Sequence, residues 1–242
     1  MSVFTRDKTL LLSVIAICET QPEYRKGFLF MTTLLLIRHG ESEANRQGLF
    51  AGQVNPDLQE KGLIQAKATA CFIADNFSVD KIYSSDLKRA FKTAQCLAEL
   101  TQKEAIAEPR LREIDAGDWE NMKFDDMSTY YPDEYNLWMN DIGNAYCVGG
   151  ETVIGLGDRI MKILEEIAAQ NDGKTVAVAT HATPIRAVQS FIATGGFDGM
   201  KDIPWVSNAS VTVLEYDGGW RIVEAGTDTH LAELKTVLPD NV

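Results

Sequence analysis

The stretch Thr33–Glu41 reads TLLLIRHGE, five apolar or β-branched residues running straight into Arg38, His39 and Gly40. An unbroken apolar run of this kind predicts a strand buried on both faces, as in the middle of a parallel sheet. In open α/β sheets ligands bind beyond the carboxyl ends of the strands, so Arg38 and His39 are expected at the mouth of a crevice. That places a fixed cation beside an imidazole able to act as nucleophile or base. Gly40 is expected to let the chain turn tightly where a side chain would intrude. A lone Arg-His pair at a strand end is usually no more than surface. Here the design recurs: TVAVATHATPIR at 175–186 is a second apolar strand ending at His181, with Pro184 placed for the first turn of a helix.

Around these two strands the chain alternates strand and helix, the pattern of a layered α/β fold. A polar loop (42–56) leads to a helix from about Leu58 to Phe77, and KIYSS (81–85) is a short strand. Ser85 or Asp86 is expected to cap the next helix, which runs to about Leu100. AIAEP (105–109) reads as a strand, and residues 115–150 lack periodicity and read as an inserted cap. A long helix follows from about Thr152 to Gln170, closed by Asn171-Asp172-Gly173. After the His181 strand and its helix, VTVLEY and WRIVEA predict a hairpin around Asp217-Gly218-Gly219.

The 242 residues suffice for one large domain, and 45% apolar with 24% charged residues is the balance of a globular chain. A net charge of −12 argues against nucleic acid and anionic membrane surfaces as partners. Cys18, Cys71, Cys96 and Cys147 have neither metal nor redox spacing; they read as reduced, mostly buried thiols and favour a cytoplasmic home. With three histidines and no ligand-spaced carboxylates, neither a metal nor a cofactor is expected. Residues 1–30 do not fit this pattern. TLLLSVIAIC (9–18) behind Arg6 and Lys8 has the look of a signal peptide but lacks a small-x-small cleavage site. The favoured reading is an extension ahead of a start at Met31.

RHGESEAN (38–45), LQEKGLIQA (58–66), SSDLKRAFKTA (84–94), LREIDAGDWE (111–120), GGET (149–152) and THATPIR (180–186) follow one another in that order. Together they resemble the histidine phosphatase superfamily, in the branch of the cofactor-dependent phosphoglycerate mutases and their phosphatase relatives, over roughly residues 32–230. The resemblance implies a three-layer αβα sandwich around a mostly parallel sheet, one domain over 31–242, with a small cap inserted at about 115–150. It implies that His39 is the nucleophile and becomes a phosphohistidine, with Arg38, Asn45 and Arg89 binding phosphate and His181 stabilising the transferring group. Phosphoryl transfer asks mainly for positioning and positive charge around three equatorial oxygens, which suits these residue types. Glu113 falls at the family position of the acid/base; by chemistry alone Asp115 and Asp118 are close rivals. Arg186 is expected to serve as a structural ion-pair residue. Glu41, Glu43 and the Glu60-Lys61 pair are read as helix and loop electrostatics, and His230 is left without a role.

Three functions follow from this resemblance: a phosphomonoester hydrolase, which is favoured, a phosphoglycerate mutase, and a catalytically silent phosphate-ligand binder. Sugar phosphates, phosphoglycerates, nucleotide-derived and cobalamin-pathway esters are all compatible small-molecule substrates. Mutases of the family resemble one another in an Arg and a Tyr shortly after the catalytic Glu. Here those places hold Ile114 and Ala116, and Lys123 is the sole basic residue between Asp118 and Glu151. The same stretch carries Asp125, Asp126, Asp133, Glu134 and Asp141 among Trp119, Tyr130, Tyr131, Tyr135, Trp138 and Tyr146. Such a lid suits a weakly charged group better than a carboxylate.

Overall fold

The structure is a computed structural model that describes residues 30–236. The expected extension at 1–30 therefore lies, apart from Phe30, outside the described residues. A six-stranded sheet has the order β4-β3-β6-β1-β7-β8. Its strands are β1 (Thr32–Arg38), β3 (Lys81–Ser84), β4 (Ala105–Ala107), β6 (Thr175–Thr180), β7 (Val211–Tyr216) and β8 (Trp220–Thr227). The first four named are mutually parallel, while β7 runs antiparallel to β1 and forms the expected hairpin with β8. β1 and β6 lie side by side in register, so Arg38 is paired with Thr180, one residue before His181. Both chemistry-bearing strand ends thus emerge together.

The side chains of β1 alternate between two cores. Leu34 and Leu36 pack with Val176 and Val178 against α6 (Val153–Gln170) and α7 (Ala182–Thr194). Leu35 and Ile37 pack with Ala177 and Ala179 against α2 (Glu60–Asn76) and α3 (Lys88–Thr101). Both faces of the central strand are therefore dry, as its unbroken apolar run predicts, and the three-layer αβα sandwich is present. The small helix α1 (Glu43–Gln47) follows β1 directly, capped by Ser42. Between β4 and α6 lie the two-residue strand β5 (Met122–Lys123), α4 (Phe124–Tyr130) and α5 (Pro132–Asn140). β5 pairs with β2 (Leu49–Phe50) in a separate two-stranded sheet. Trp119, Met127, Trp138 and Ile142 from this segment join the core on the α6 side.

Several local expectations need correction. The N-cap of α3 is Leu87, without a side-chain bond, and Ser85 and Asp86 are engaged elsewhere. Among the described cysteines, Cys147 is buried but Cys71 is exposed and Cys96 intermediate; all three are free. Gly40 does not adopt a positive φ, so no tight turn demands it. Close approach does: a Cβ there would stand 2.3 Å from the Gly62 carbonyl oxygen, and one on Gly62 would stand 2.0 Å from the Glu41 carbonyl oxygen. The two glycines let the loop after His39 lie directly on the first turn of α2.

A test follows. Alanine inside a helix gains about 1 kcal/mol over glycine, whereas overpacking costs about 1–3 kcal/mol when the neighbour can yield. The neighbour here is backbone. Gly62→Ala is therefore expected to lower stability by about 2 kcal/mol, or a melting temperature by roughly 4–8 °C. A calorimetric scan showing an unchanged or raised melting temperature would contradict the close-approach account.

Candidate active site

His39 sits at the end of β1 and is buried to 4% exposure. Its Nδ1 lies 2.7 Å from the Gly40 carbonyl oxygen, which can only accept, so Nδ1 carries the hydrogen and Nε2 the lone pair. Arg89 Nε donates to that Nε2 at 3.2 Å, which fits the same tautomer. Burial first, then the charges of Arg89 and Arg38, hold the imidazole well below its ordinary pKa; only the Gly40 carbonyl opposes them. The result is a neutral nucleophile between two cations.

Arg89, on the first turn of α3, is 1% exposed rather than solvated. Its other nitrogens donate to the carbonyls of Val54 at 2.8 Å and Gly52 at 2.7 Å, tying the loop after β2 to the site. Arg38 donates Nη1 to the Val206 carbonyl, while its buried Nε has no partner among the described residues. Burial lowers both guanidinium groups to about 10, so they stay charged at neutral pH. Asn45 closes this side. Its Oδ1 accepts from the Ser42 N–H, the Ser42 hydroxyl and Asn208 Nδ2, which turns its NH2 into the free end.

Glu113 comes from the loop before α4 and lines the same cleft as Arg38, His39, Asn45 and Arg89. Burial pushes its carboxyl above the ordinary carboxylate value, opposed by the Ile114 N–H, the charge of Arg89 and its bonds to Thr183. Oε1 accepts from Ile114 N at 2.9 Å and Oε2 from Thr183 N at 3.4 Å, at the start of α7. Its rivals stand apart. Asp115 and Asp118 are exposed, occupied respectively with Gly117 N at 3.1 Å and the Tyr131 hydroxyl at 3.4 Å. Only Glu113 of the three reaches the cleft.

These groups lie within a sequence that matches one family model over residues 34–229, the histidine phosphatase superfamily (branch 1). The chain belongs to that superfamily. Among its curated relatives, phosphoserine phosphatase 1 of Hydrogenobacter thermophilus is 34% identical over 205 residues, covering 84% of this chain and 96% of that one. Among solved members, YhfR of Bacillus stearothermophilus superposes with a TM-score of 0.78 at 26% identity, covering 83% of this chain and 99% of that one. A mycobacterial glucosyl-3-phosphoglycerate phosphatase gives 0.75 at 26% identity, with coverages of 82% and 100%.

In this histidine phosphatase, His181 is fully buried and packs edge-on to His39, with ring centroids 5.1 Å apart. It does not form part of the cleft wall. Ser85 Oγ, which accepts from Leu87 N, lies 2.8 Å from His181 Nε2, and His181 Nδ1 has no partner among the described residues. Ser85 thus supports the second histidine instead of capping α3. Asp86 pairs with Arg112. Arg186 is not an ion-pair residue: among the described residues it makes no salt bridge, donates to the carbonyls of Ile203 and Lys201, and stacks 4.3 Å over Trp205. Lys61 pairs with Glu41 across elements rather than with its neighbour Glu60. His230 lies away from the cleft, stacked on Phe72 and bonded to Thr69.

Asn208 is a site residue that sequence reasoning missed. It is fully buried, donates to the His39 carbonyl at 3.0 Å and to Asn45 Oδ1 at 3.2 Å, and lines the cleft. The local signal is slight: it precedes Ala209, whose φ of 59° is unusual for a residue with a Cβ.

Proposed function

We propose that this chain is a phosphomonoester hydrolase working through a phosphohistidine on Nε2 of His39. The observation that carries the reading is a neutral imidazole, two charged guanidinium groups and a buried carboxyl of raised pKa facing one cleft. A dianionic phosphate displaces Arg89 from Nε2 and is held by Arg38, Arg89, the Asn45 amide and the free Ala182 N–H at the start of α7. With the Ser85 hydroxyl donating to Nε2, His181 carries its hydrogen on the unpartnered Nδ1 and donates to the transferring group from just behind the cleft wall. Nε2 attacks phosphorus as the ester oxygen departs with the Glu113 proton. Water then attacks the phosphohistidine, Glu113 takes its proton, and phosphate leaves with His39 restored.

The substrate in this proposal is a small-molecule ester, in keeping with the relatives named as phosphoserine and glucosyl-3-phosphoglycerate phosphatases. Three free cysteines among the described residues fit a reducing, cytoplasmic setting. No helix among the described residues is long and apolar enough to cross a membrane.

Hydrolysis is favoured over mutase chemistry by what stands behind the catalytic carboxyl. Ile114 and Ala116 are wholly buried, and Lys123, paired with the wall residue Leu49, is exposed and does not itself line the cleft. Nothing there grips a substrate carboxylate during reorientation. Phosphate release from monoesters is expected, with negligible interconversion of 2- and 3-phosphoglycerate even when bisphosphoglycerate is present. Mutase turnover faster than phosphate release would reverse the assignment.

A further inference from the structure

Beyond the phosphate-binding end, the cleft continues along Leu49, Phe50, Phe124, Trp138 and Trp205. Its free volume is about 150 Å³, the scale of a cavity that accepts a benzene ring. Among the described residues the ionisable side chains on its wall are Arg38, His39, Arg89 and Glu113, all gathered where phosphate chemistry needs them.

Both cations are committed to the phosphate in the proposed mechanism, so neither is left for a second anion on the substrate. Arg186 lies over Trp205 but outside the wall, its Nε and Nη2 held by backbone carbonyls.

The apolar end is a built surface. Phe50 meets Phe124 and Trp138 edge-on at 5.7 and 5.1 Å, and Trp138 stacks near Trp205 at 6.5 Å. The guanidinium of Arg186 immobilises the indole of Trp205 by a cation–π contact. An aromatic wall held this way offers dispersion and ring stacking to an apolar group. To a carboxylate or ammonium it offers desolvation without a partner.

We infer that the ester cleaved by this site carries an uncharged alcohol with an apolar or aromatic body, seated on Trp205, Phe124 and Leu49. This rests on the phosphatase reading above and narrows it. It also separates the chain from relatives whose names specify phosphoserine or a phosphoglycerate, both of which carry charge beside the ester.

The test compares kcat/KM of the full chain for 2-phenylethyl phosphate, O-phospho-L-serine and 3-phosphoglycerate. All are alkyl esters, so the apolar one gains nothing from an activated leaving group. 2-Phenylethyl phosphate is expected to lead by about tenfold or more, the scale on which a matched apolar pocket discriminates. Trp205→Ala should shrink that ratio. Leu49→Arg, which supplies the missing cation at a half-buried wall position, should shift the ratio toward the two carboxylate esters. If the unaltered chain prefers phosphoserine or 3-phosphoglycerate, or if neither substitution moves the ratio, the inference fails. His39→Ala run on the same esters separates the two levels. Loss of all turnover there alongside a preference for charged esters overturns only the substrate class. Unimpaired turnover overturns the proposed mechanism, and absence of hydrolysis in the unaltered chain overturns both.

Discussion

His39→Ala is expected to lose phosphatase activity by about 10,000-fold or more, as removal of a covalent nucleophile does when its partners cannot replace it. The geometry gives the reason. Only Nε2 of this ring bears a lone pair, because Nδ1 is committed to the Gly40 carbonyl at 2.7 Å. Burial and the two arginines keep that lone pair unprotonated well below the ordinary imidazole range. Alanine deletes the acceptor of the phosphoryl group and leaves the cations that bind phosphate. Trapping with radiolabelled substrate should yield one phosphorylated residue, stable in alkali and released in acid, mapping to His39. Label on another residue, or substantial turnover in the variant, would sink the mechanism.

Glu113→Gln should slow esters of poorly acidic alcohols by about 100- to 10,000-fold, the span of a lost general acid. p-Nitrophenyl phosphate should suffer far less, because its leaving group departs without a proton. Equal losses on both substrate types would count against the assignment. The pH dependence carries a second signature. Burial raises the Glu113 carboxyl, so in the unaltered protein the proton needed for slow-leaving esters is lost as pH rises through that raised value. Activity should fall on that alkaline limb. It should also fall at low pH, as His39 takes a proton through its depressed value. Glutamine cannot ionise there, so the alkaline limb should disappear from the variant while the acid limb persists.

Residues next to one another in the chain determined much of this on their own. The unbroken apolar runs at 33–37 and 175–180 specify buried neighbouring strands, because only a central position makes both faces of a strand dry. Arg38, His39 and His181 follow directly from those strands, since a strand end fixes where the next residues emerge. Asn45 and Arg89 lie one short element away from such an end and could be placed through the motifs that contain them.

Contacts between distant segments were another matter. Glu113, Asp115 and Asp118 are chemically alike in sequence, and burial beside Arg38 and Arg89 singles out the first only once the loop is folded back. Of the cap aromatics, Phe124 and Trp138 reach the cleft. Trp119 is wholly buried in the core and Tyr130 is 70% exposed, while Phe50 and Trp205 come to the wall from segments far along the chain. Asn208 meets His39 across 169 residues, Ser85 meets His181 across 96, and Arg186 finds an indole where a carboxylate was expected. Gly40 is needed because Gly62 presses against its loop, a steric fact invisible in either segment alone. Periodicity reports how one element meets its own surroundings; which side chains share a site depends on the packing of elements that no local pattern encodes.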